Sequence, residues 1–373
     1  MAKNSNYPDN FGSYIRKLRI KKDIGQRELA KKVGVAPSYL NDMEKGKRTA
    51  PKNELVKKLS SILKADLSLM YDLAGISKKT IAPDIEEYIK DNPSLISLLR
   101  TAKESKISNE EIQQLEKKIN KSETKALIVA AGLGSRLKKH TESLPKCMLD
   151  FNGKTLLQRQ VQAYKDCGIN DITVIRGYKK EKINYKNLSY ITNADYKNNN
   201  ILNSIFYAEK IINGNVIIAY SDILFESNVV KRLLESDHDI SVVVDIDWQG
   251  YYVGRKDHPI SEAENVIFDS NNQVIKIGKI GTQKEEVHGE FIGMIKLTNR
   301  GAEIFKENFH RVKKLYWNKP FQRAAVFQKS YLTDMIQELV DIGVKVHCVI
   351  IERGWKEIDT VEDYQKALKE FNK

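Results

Sequence analysis

The 373-residue chain is 41% hydrophobic and 30% charged, which excludes an intrinsically disordered protein and gives enough length for two globular units. No apolar run approaches the roughly 20 residues of a membrane span, and the N-terminal MAKNSNYPDN has no secretion-signal core, so a cytoplasmic protein with no membrane partner is expected. The net charge of +13 is concentrated: residues 1–65 hold 16 Lys and Arg against 6 Asp and Glu, a net +10, which suits a polyanionic partner but also fits a plain basic helical domain.

From Phe11 the aromatic and apolar residues Phe11, Tyr14, Ile15 and Leu18 recur at helical spacing up to Lys22, and Gly25 ends that helix. QRELAKKVGV then brings Leu29, Ala30 and Val33 to one face before Gly34 stops a second short helix. In the third, APSYLNDMEKGKR, Leu40 and Met43 face inward while Ser38, Tyr39, Asn41 and Asp42 lie on the other face; NELVKKLSSILKA closes the set. A short helix, a glycine turn and a helix with small and amide side chains at its start is the helix-turn-helix arrangement, whose second helix enters the major groove.

Over about its first 70 residues the chain resembles the lambda-repressor-like (Xre/Cro type) family. The resemblance implies a phosphate contact from Gln26, base or phosphate contacts from Ser38, Tyr39 and Asn41, and double-stranded DNA as partner, bound by a homodimer. Asn41 can bond an adenine edge, and Lys45, Lys47 and Arg48 can neutralise phosphates. A helical bundle used only for dimerisation is the alternative. Residues 76–124 are charged and helix-prone, with Pro83 and Pro93 as helix starts or breaks. They are read as a helical extension of the domain at 1–75, ending in the polar linker INKSETK.

After Lys125 strands and helices alternate. ALIVAA, DITVI, NVIIAY, DISVVV and VKVHCVII are continuous Ile/Val-rich runs, and TLLQRQVQAYKDC, NILNSIFYAEKI and VVKRLLES between them have helical spacing. Strands apolar on both faces imply a mostly parallel sheet covered by helices, with ligands at the strands' carboxyl ends. Cys147, Cys167 and Cys348 are far apart and form no CxxC, so neither a zinc site nor a disulfide framework is indicated.

The run LIVAAGLGSRLKKHTESLPK opens from the first of these strands into a glycine-containing loop. Gly132 and Gly134 let backbone amides approach a phosphate, and Arg136 and Lys146 add positive charge there; a tight turn would also explain the glycines. The loop matches neither the phosphate-binding GxxxxGK[ST] nor GxGxxG. LIVAAGLGSRL followed by LPKCML resembles the signature of the sugar-nucleotide-type nucleotidyltransferases, and that resemblance covers Lys125 to Phe371. It implies a two-domain architecture: an all-α helix-turn-helix domain, then an α/β Rossmann-like nucleotidyltransferase domain at 125–373.

Several roles come with this resemblance. Arg136 and Lys146 become catalytic cations, and Ala130, Ala131, Gly132, Gly134, Ser135, Asn203 and Ser204 nucleotide contacts. Asp222 in YSDILF and Asp359 in GWKEIDTVEDYQKAL become ligands of Mg2+, which prefers carboxylate oxygens and substrate phosphates. Each aspartate also stands where a helix cap is expected, and an Asn-rich turn is ordinary capping chemistry.

YYVGRKDHPISEAENVIFDSNNQVIKIGK and HGEFIGMIKLTNRGAEIF, with the C-terminal segment, resemble the cytidylyltransferases acting on phosphocholine and on phosphonates such as 2-aminoethylphosphonate. The resemblance implies CTP as donor and a small phosphonate or phosphate-ester acceptor. The short region holds Trp248, Tyr251, Tyr252, Glu262 and Glu264, and farther on Tyr316, Trp317 and Trp355, able to surround or pair with an ammonium, although about half would serve packing alone. Arg255 and Lys279 are candidates for the acceptor's phosphoryl group, and His288 for acceptor binding or packing. Two other readings stay open: a regulator whose transferase-like domain senses a ligand, and a sugar-1-phosphate nucleotidyltransferase.

Overall fold

Asn10 starts the first helix by accepting the Ser13 amide at 2.8 Å. Helix α1 (Phe11–Lys21) is followed by α2 (Gln26–Val33), α3 (Pro37–Glu44), α4 (Asn53–Leu63) and α5 (Leu67–Lys78). The computed structural model describes residues 10–112, 114–115, 124–279 and 287–370, and the chain divides into two units, Met1–Glu111 and Ile112–Lys373.

In the first unit Phe11, Ile15, Leu29, Val33, Leu40 and Met43 share one core with Val56 and Leu59. Gly34 ends α2 in the left-handed region, at φ +80°. Gly12 is required by packing, because a Cβ there would lie 2.0 Å from the Met43 carbonyl oxygen; α1 and α3 therefore touch backbone to backbone. A buried charge reinforces that contact. Glu44 accepts from Arg19 Nε at 2.7 Å and Nη2 at 2.8 Å, and from Gln26 Nε2 at 3.0 Å, tying α1, α2 and α3 together.

Helix α5 closes the core of the first unit. Met70, Leu73 and Ala74 of α5 are buried with the other helices, and Ala82, in the segment read as a helical extension, joins the same core. Pro83 occupies the first turn of α6 (Pro83–Asp91), and Pro93 immediately precedes α7 (Ser94–Glu104). Residues 119–123 of the expected linker lie outside the described residues.

The second unit is built on a nine-stranded sheet with helices on both faces. Its strands β1 (Lys125–Ala130), β4 (Ile172–Arg176), β5 (Ser189–Thr192) and β6 (Val216–Tyr220) run parallel in the order β5-β4-β1-β6, with the hairpin β2 (Asp150–Phe151) and β3 (Lys154–Thr155) beside them. The reason is the two-residue period of a strand. Leu127, Val129, Val216 and Ile218 enter one core, while Ala126, Ile128, Ile217 and Ala219 enter the other.

Helix α8 (Leu156–Lys165) covers the second face; the Asn-rich segment leads into α9 (Ile201–Ile205), which loosens into a 3-10 turn over Phe206–Ile211. Beyond β6 come the short β7 (Ile223–Phe225), α10 (Ser227–Glu235) and β8 (Ile240–Asp245).

The remaining part contains elements the sequence reading did not resolve: β9 (Asn265–Phe268), β10 (Val274–Gly278) and β11 (Gly289–Leu297), then α11 (Asn299–Tyr316) and α12 (Leu332–Asp341). Strand β11 runs antiparallel to β6, β8 and β9 and is buried along its whole length. The chain ends through β12 (His347–Ile351), parallel to β8, then β13 (Trp355–Glu357) and α13 (Val361–Glu370). Strand β13 pairs antiparallel with β7, and the Ile358 amide donates to the Asp222 carbonyl at 2.8 Å. This ladder joins the C-terminal segment to the mouth of the parallel sheet.

Candidate active site

At the carboxyl end of β1 the chain leaves the sheet and borders a cleft of about 400 Å3, lined by Ala130, Ala131, Gly132, Gly134, Arg136 and Lys146 together with Ser204, Tyr220, Asp222 and Asp359. Gly134 has φ +63°, and a Cβ there would lie 3.2 Å from Lys146 Cβ and 3.3 Å from Thr141 Cγ2, so the turn and the lysine's approach both call for glycine. A Cβ at Gly132 would meet nothing within 4 Å. Ser135 opens a 3-10 turn, Ser135–His140; its side chain lies outside the described residues.

Lys146 is the centre of the site. Its buried ammonium donates to Asp222 Oδ2 at 3.0 Å and to Asp359 Oδ1 at 2.6 Å. The β13–β7 ladder explains why residues so distant in sequence meet: Asp222 precedes β7 and Asp359 follows β13, on neighbouring antiparallel strands. Arg136, more exposed, pairs with Asp359 from the other side. Burial alone would lower the Lys146 pKa, but the Asp222 and Asp359 carboxylates outweigh it and raise it. For Asp359, burial opposes ionisation, yet Lys146, a hydrogen bond from His258, and Arg136 hold its carboxyl well below the usual range.

Two residues absent from the sequence reading complete this cluster. His258 Nδ1 lies 3.1 Å from Asp359 Oδ2 and 3.6 Å from Glu357 Oε2, and donor atoms of His258, Glu357 and Asp359 fall within 4.8 Å of one another. Burial pushes the Glu357 carboxyl up to about 7, with His258 opposing the shift and the Asp359 and Asp222 charges adding to it. Of the neighbouring carboxyls, Asp359 therefore holds its charge more strongly. Among the described residues, Asp222 Oδ1 is buried without a hydrogen-bond partner. That open oxygen, beside the ionised Asp359, fits a hard divalent cation, for which carboxylate oxygens are the preferred protein ligands.

The residues assigned to the nucleotide do not all face the cleft. Ser204 lines it and accepts from Asn193 Nδ2 at 2.8 Å. Asn203 turns inward, where its Nδ2 donates to the Phe327 carbonyl at 2.9 Å, and it does not line the cleft. Asn200 caps α9, so the Asn-rich turn performs its capping role at a different residue.

The acceptor assignments change more. Arg255 is buried and committed to Asp363, with Nε 2.9 Å from Oδ1 and Nη2 2.9 Å from Oδ2, and Glu357 lies 3.5 Å away. Its guanidinium sits over the rings of Tyr251 at 4.6 Å and Tyr252 at 4.7 Å. The aromatic pair expected to receive an acceptor ammonium thus already holds a cation of this chain. Tyr252 is buried beside Trp248 and Ala263, and its hydroxyl donates to Glu290.

Glu264 is occupied as well. It accepts from Thr333 Oγ1 at 2.6 Å and lies 3.4 Å from Arg323 Nη2, with Tyr220 Oη 3.5 Å away. It backs a cleft-lining tyrosine and does not itself line the cleft. Glu262 and Lys279 form an ion pair with each other, and both side chains remain accessible. His288 is engaged in packing: its Nδ1 accepts the Phe268 amide at 3.1 Å, and the two rings meet edge to face.

On the N-terminal unit, Ser38, Lys45, Lys47 and Arg48 are exposed, and Tyr39 and Asn41 partly so. Arg48 lies over the Tyr39 ring at 5.2 Å and 3.7 Å from Asp42. Gln26, expected on a phosphate, directs its amide to buried Glu44 and helps orient the helix pair.

Residues 126–275 match the MobA-like NTP transferase domain family and residues 15–70 match the helix-turn-helix family. A choline-phosphate cytidylyltransferase of Streptococcus pneumoniae is 31% identical over 246 residues, covering 65% of this chain and 96% of the relative. A CTP:phosphoglutamine cytidylyltransferase of Campylobacter jejuni is 28% identical over 256 residues, covering 65% and 98%. The solved structure of a CTP:phosphocholine cytidylyltransferase from Streptococcus pneumoniae superposes with a TM-score of 0.50 at 22% identity, over 67% of this chain and 99% of that one, showing the shared fold. No helix among the described residues is long and apolar enough to cross a membrane. The chain belongs to the cytidylyltransferase family of nucleotidyltransferases and carries a helix-turn-helix domain ahead of the transferase unit.

Proposed function

We propose that the C-terminal unit transfers the CMP group of CTP to a small phosphonate or phosphorylated amino alcohol, of the 2-aminoethylphosphonate or phosphocholine kind, with release of pyrophosphate and a requirement for Mg2+. The observation that carries this reading is the Lys146 ammonium held between Asp222 and Asp359 beside the glycine loop. Bound on those two carboxylates, Mg2+ would offset the negative charge of the triphosphate.

The chain's own residues supply position and charge. An acceptor phosphate or phosphonate is ionised near neutral pH, so its oxygen attacks the α-phosphorus while the bond to the departing pyrophosphate breaks. No proton has to be removed. Lys146 stays protonated, because the aspartates raise its pKa, and serves as a fixed cation for the α-phosphate. Arg136 and the loop amides add donors at the same edge of the cleft, in a site whose geometry is formed in advance. His258 orients Asp359. With Arg255, Tyr252 and Glu264 engaged internally, Glu262 at the accessible rim is the acidic side chain assigned to the acceptor's amine, and Lys279 to its phosphoryl end.

Incubating the full chain with CTP, Mg2+ and a panel of acceptors, and following pyrophosphate release, tests the reading. Turnover is expected with 2-aminoethylphosphonate, phosphocholine or a similar amine-bearing compound. Turnover only with a sugar 1-phosphate would replace this acceptor class, and absence of turnover with every acceptor would favour a ligand sensor.

In the same reading the N-terminal unit binds duplex DNA as a homodimer on an inverted repeat, with half-sites about one helical turn, roughly 10 base pairs, apart. Ser38, Tyr39 and Asn41 on α3 face the bases and nearby phosphates, and Lys45, Lys47 and Arg48 the backbone. Selection from a random duplex library tests this: enrichment of a two-fold sequence is expected, and failure to enrich any sequence would remove it.

A further inference from the structure

We propose that Gln160 is a positioning residue for Asp222: from inside the core, its side-chain amide holds the turn that presents this carboxylate to the cleft. The inference rests on the metal-binding reading of Asp222 given above. Strand β6 ends at Tyr220 and β7 begins at Ile223, so Ser221 and Asp222 lie between two strands that belong to different sheets. Gln160 Nε2 donates to the carbonyl on each side of that pair, to Tyr220 at 2.8 Å and to Ile223 at 2.7 Å. The Asp222 carbonyl accepts from the Ile358 amide, so the turn is held at Tyr220, Asp222 and Ile223.

The helix behind the amide is itself fixed. A capping box of Thr155 and Gln158 starts α8. Leu157 and Tyr164 share a core with Ile223 and Phe225, and the rings of Tyr164 and Phe225 meet edge to face at 5.4 Å. Gln160 is fully buried, and the orientation of its amide follows from chemistry: carbonyl oxygens only accept, so the nitrogen must face them. That leaves Oε1 buried without a hydrogen-bond partner among the described residues. Burying an amide with one end unsatisfied carries a desolvation cost that an apolar side chain of the same size avoids. The contribution of Gln160 lies in the two carbonyls it holds and in the aspartate carried between them, since outer partners that orient a metal ligand govern metal affinity.

Two variants of the full chain test this. Gln160→Met keeps the volume and removes the donor; Gln160→Asn keeps an amide that falls one methylene short of both carbonyls. In each, the Mg2+ concentration giving half the maximal rate should rise about 10- to 100-fold, while saturating Mg2+ returns most of the native kcat, which Asp222→Ala does not allow. Electron paramagnetic resonance of Mn2+ bound together with α,β-methylene-CTP supplies a second readout that needs no turnover, and affinity there should fall by the same factor. Ala163→Gly, which loosens α8 by lowering its helix propensity, controls for a merely structural role: its melting temperature should fall with metal affinity unchanged. Native metal affinity in either Gln160 variant, or an equal loss in Ala163→Gly, would overturn the positioning role and leave the metal reading standing. A native chain that binds no Mn2+ beside the nucleotide analogue would overturn both.

Discussion

The two units use the same kinds of cation in opposite ways. Around α3, Lys45, Lys47 and Arg48 project into solvent. In the transferase unit the side chains of Lys146 and Arg255 are only 9% and 1% exposed and sit among carboxylates. An exposed cation acts through its field and through counterion release, so salt weakens it; a buried one acts through fixed geometry, and salt reaches it poorly. The comparison teaches that the +13 of the chain combines two electrostatic devices, and that burial separates them where charge alone does not.

The sharpest way to break the comparison is at its buried end. Replacing Lys146 with Ala should lower kcat by about 10²- to 10³-fold, because a cation fixed at the reacting phosphate is lost. Steady-state rates would measure this, and a near-native rate would remove Lys146 from the chemistry. Asp222→Ala should have an effect on the order of 10³-fold through the loss of the proposed metal ligand and of the lysine's anchor. Raising added Mg2+ should not restore the native rate.

Arg255→Gln separates an internal clamp from an acceptor contact. If the guanidinium serves Asp363 and Glu357, its removal leaves buried carboxyl groups uncompensated and should cost about 3–5 kcal/mol of stability, measured by denaturant unfolding of the transferase unit. An unchanged unfolding midpoint with a raised acceptor KM would return Arg255 to the acceptor site.

At the exposed end the effects are smaller and depend on salt. Asn41→Ala should cost about 1–3 kcal/mol at one base position and leave the salt dependence unchanged. Lys47→Ala should weaken binding to all sequences alike and reduce the slope of log affinity against log salt by about 1. Titrations at two salt concentrations distinguish these outcomes. The smallest effect belongs to Glu262→Gln, whose exposed pair with Lys279 should contribute less than about 1 kcal/mol to stability. A raised KM in this variant without a change in melting would support its place beside the acceptor amine.

The legible parts of the fold were those in which one local signal dominated. Leu29, Ala30 and Val33 repeat at helical spacing, and the Ile/Val runs of β1, β4, β6 and β8 need burial on both faces. Strand β11, by contrast, contains glycines, charges and an irregular register at Phe291/Ile295, and becomes a strand through its neighbours. Within the site, Lys146, Asp222 and Asp359 were legible because the loop and strand ends carry them in recognisable strings. Glu357 could have been found: it stands two residues before Asp359, the spacing of one strand face, in the segment already read as a site wall.

His258 had no such signal. It lies in an irregular stretch and reaches Asp359 only through tertiary structure. Glu44, Arg255 and Glu264 were misread or overlooked for a common reason: a sequence displays their charge but conceals the partners that permit burial. Asn203 and Gln26 show the same difficulty for neutral amides, each of which found a partner within its own unit.

The hydrogen bond from the Ile358 amide to the Asp222 carbonyl makes the integrity of the Asp222–Asp359 pair measurable from the backbone. A fluctuation that unzipped β13 from β7 would carry Asp359 away from Asp222 in a single event, a local opening that needs no global unfolding. The rate at which the Ile358 proton is replaced by deuterium is a gauge of that opening. A nucleotide that requires both carboxylates should slow this exchange, giving a readout of ligand engagement even when no product is formed.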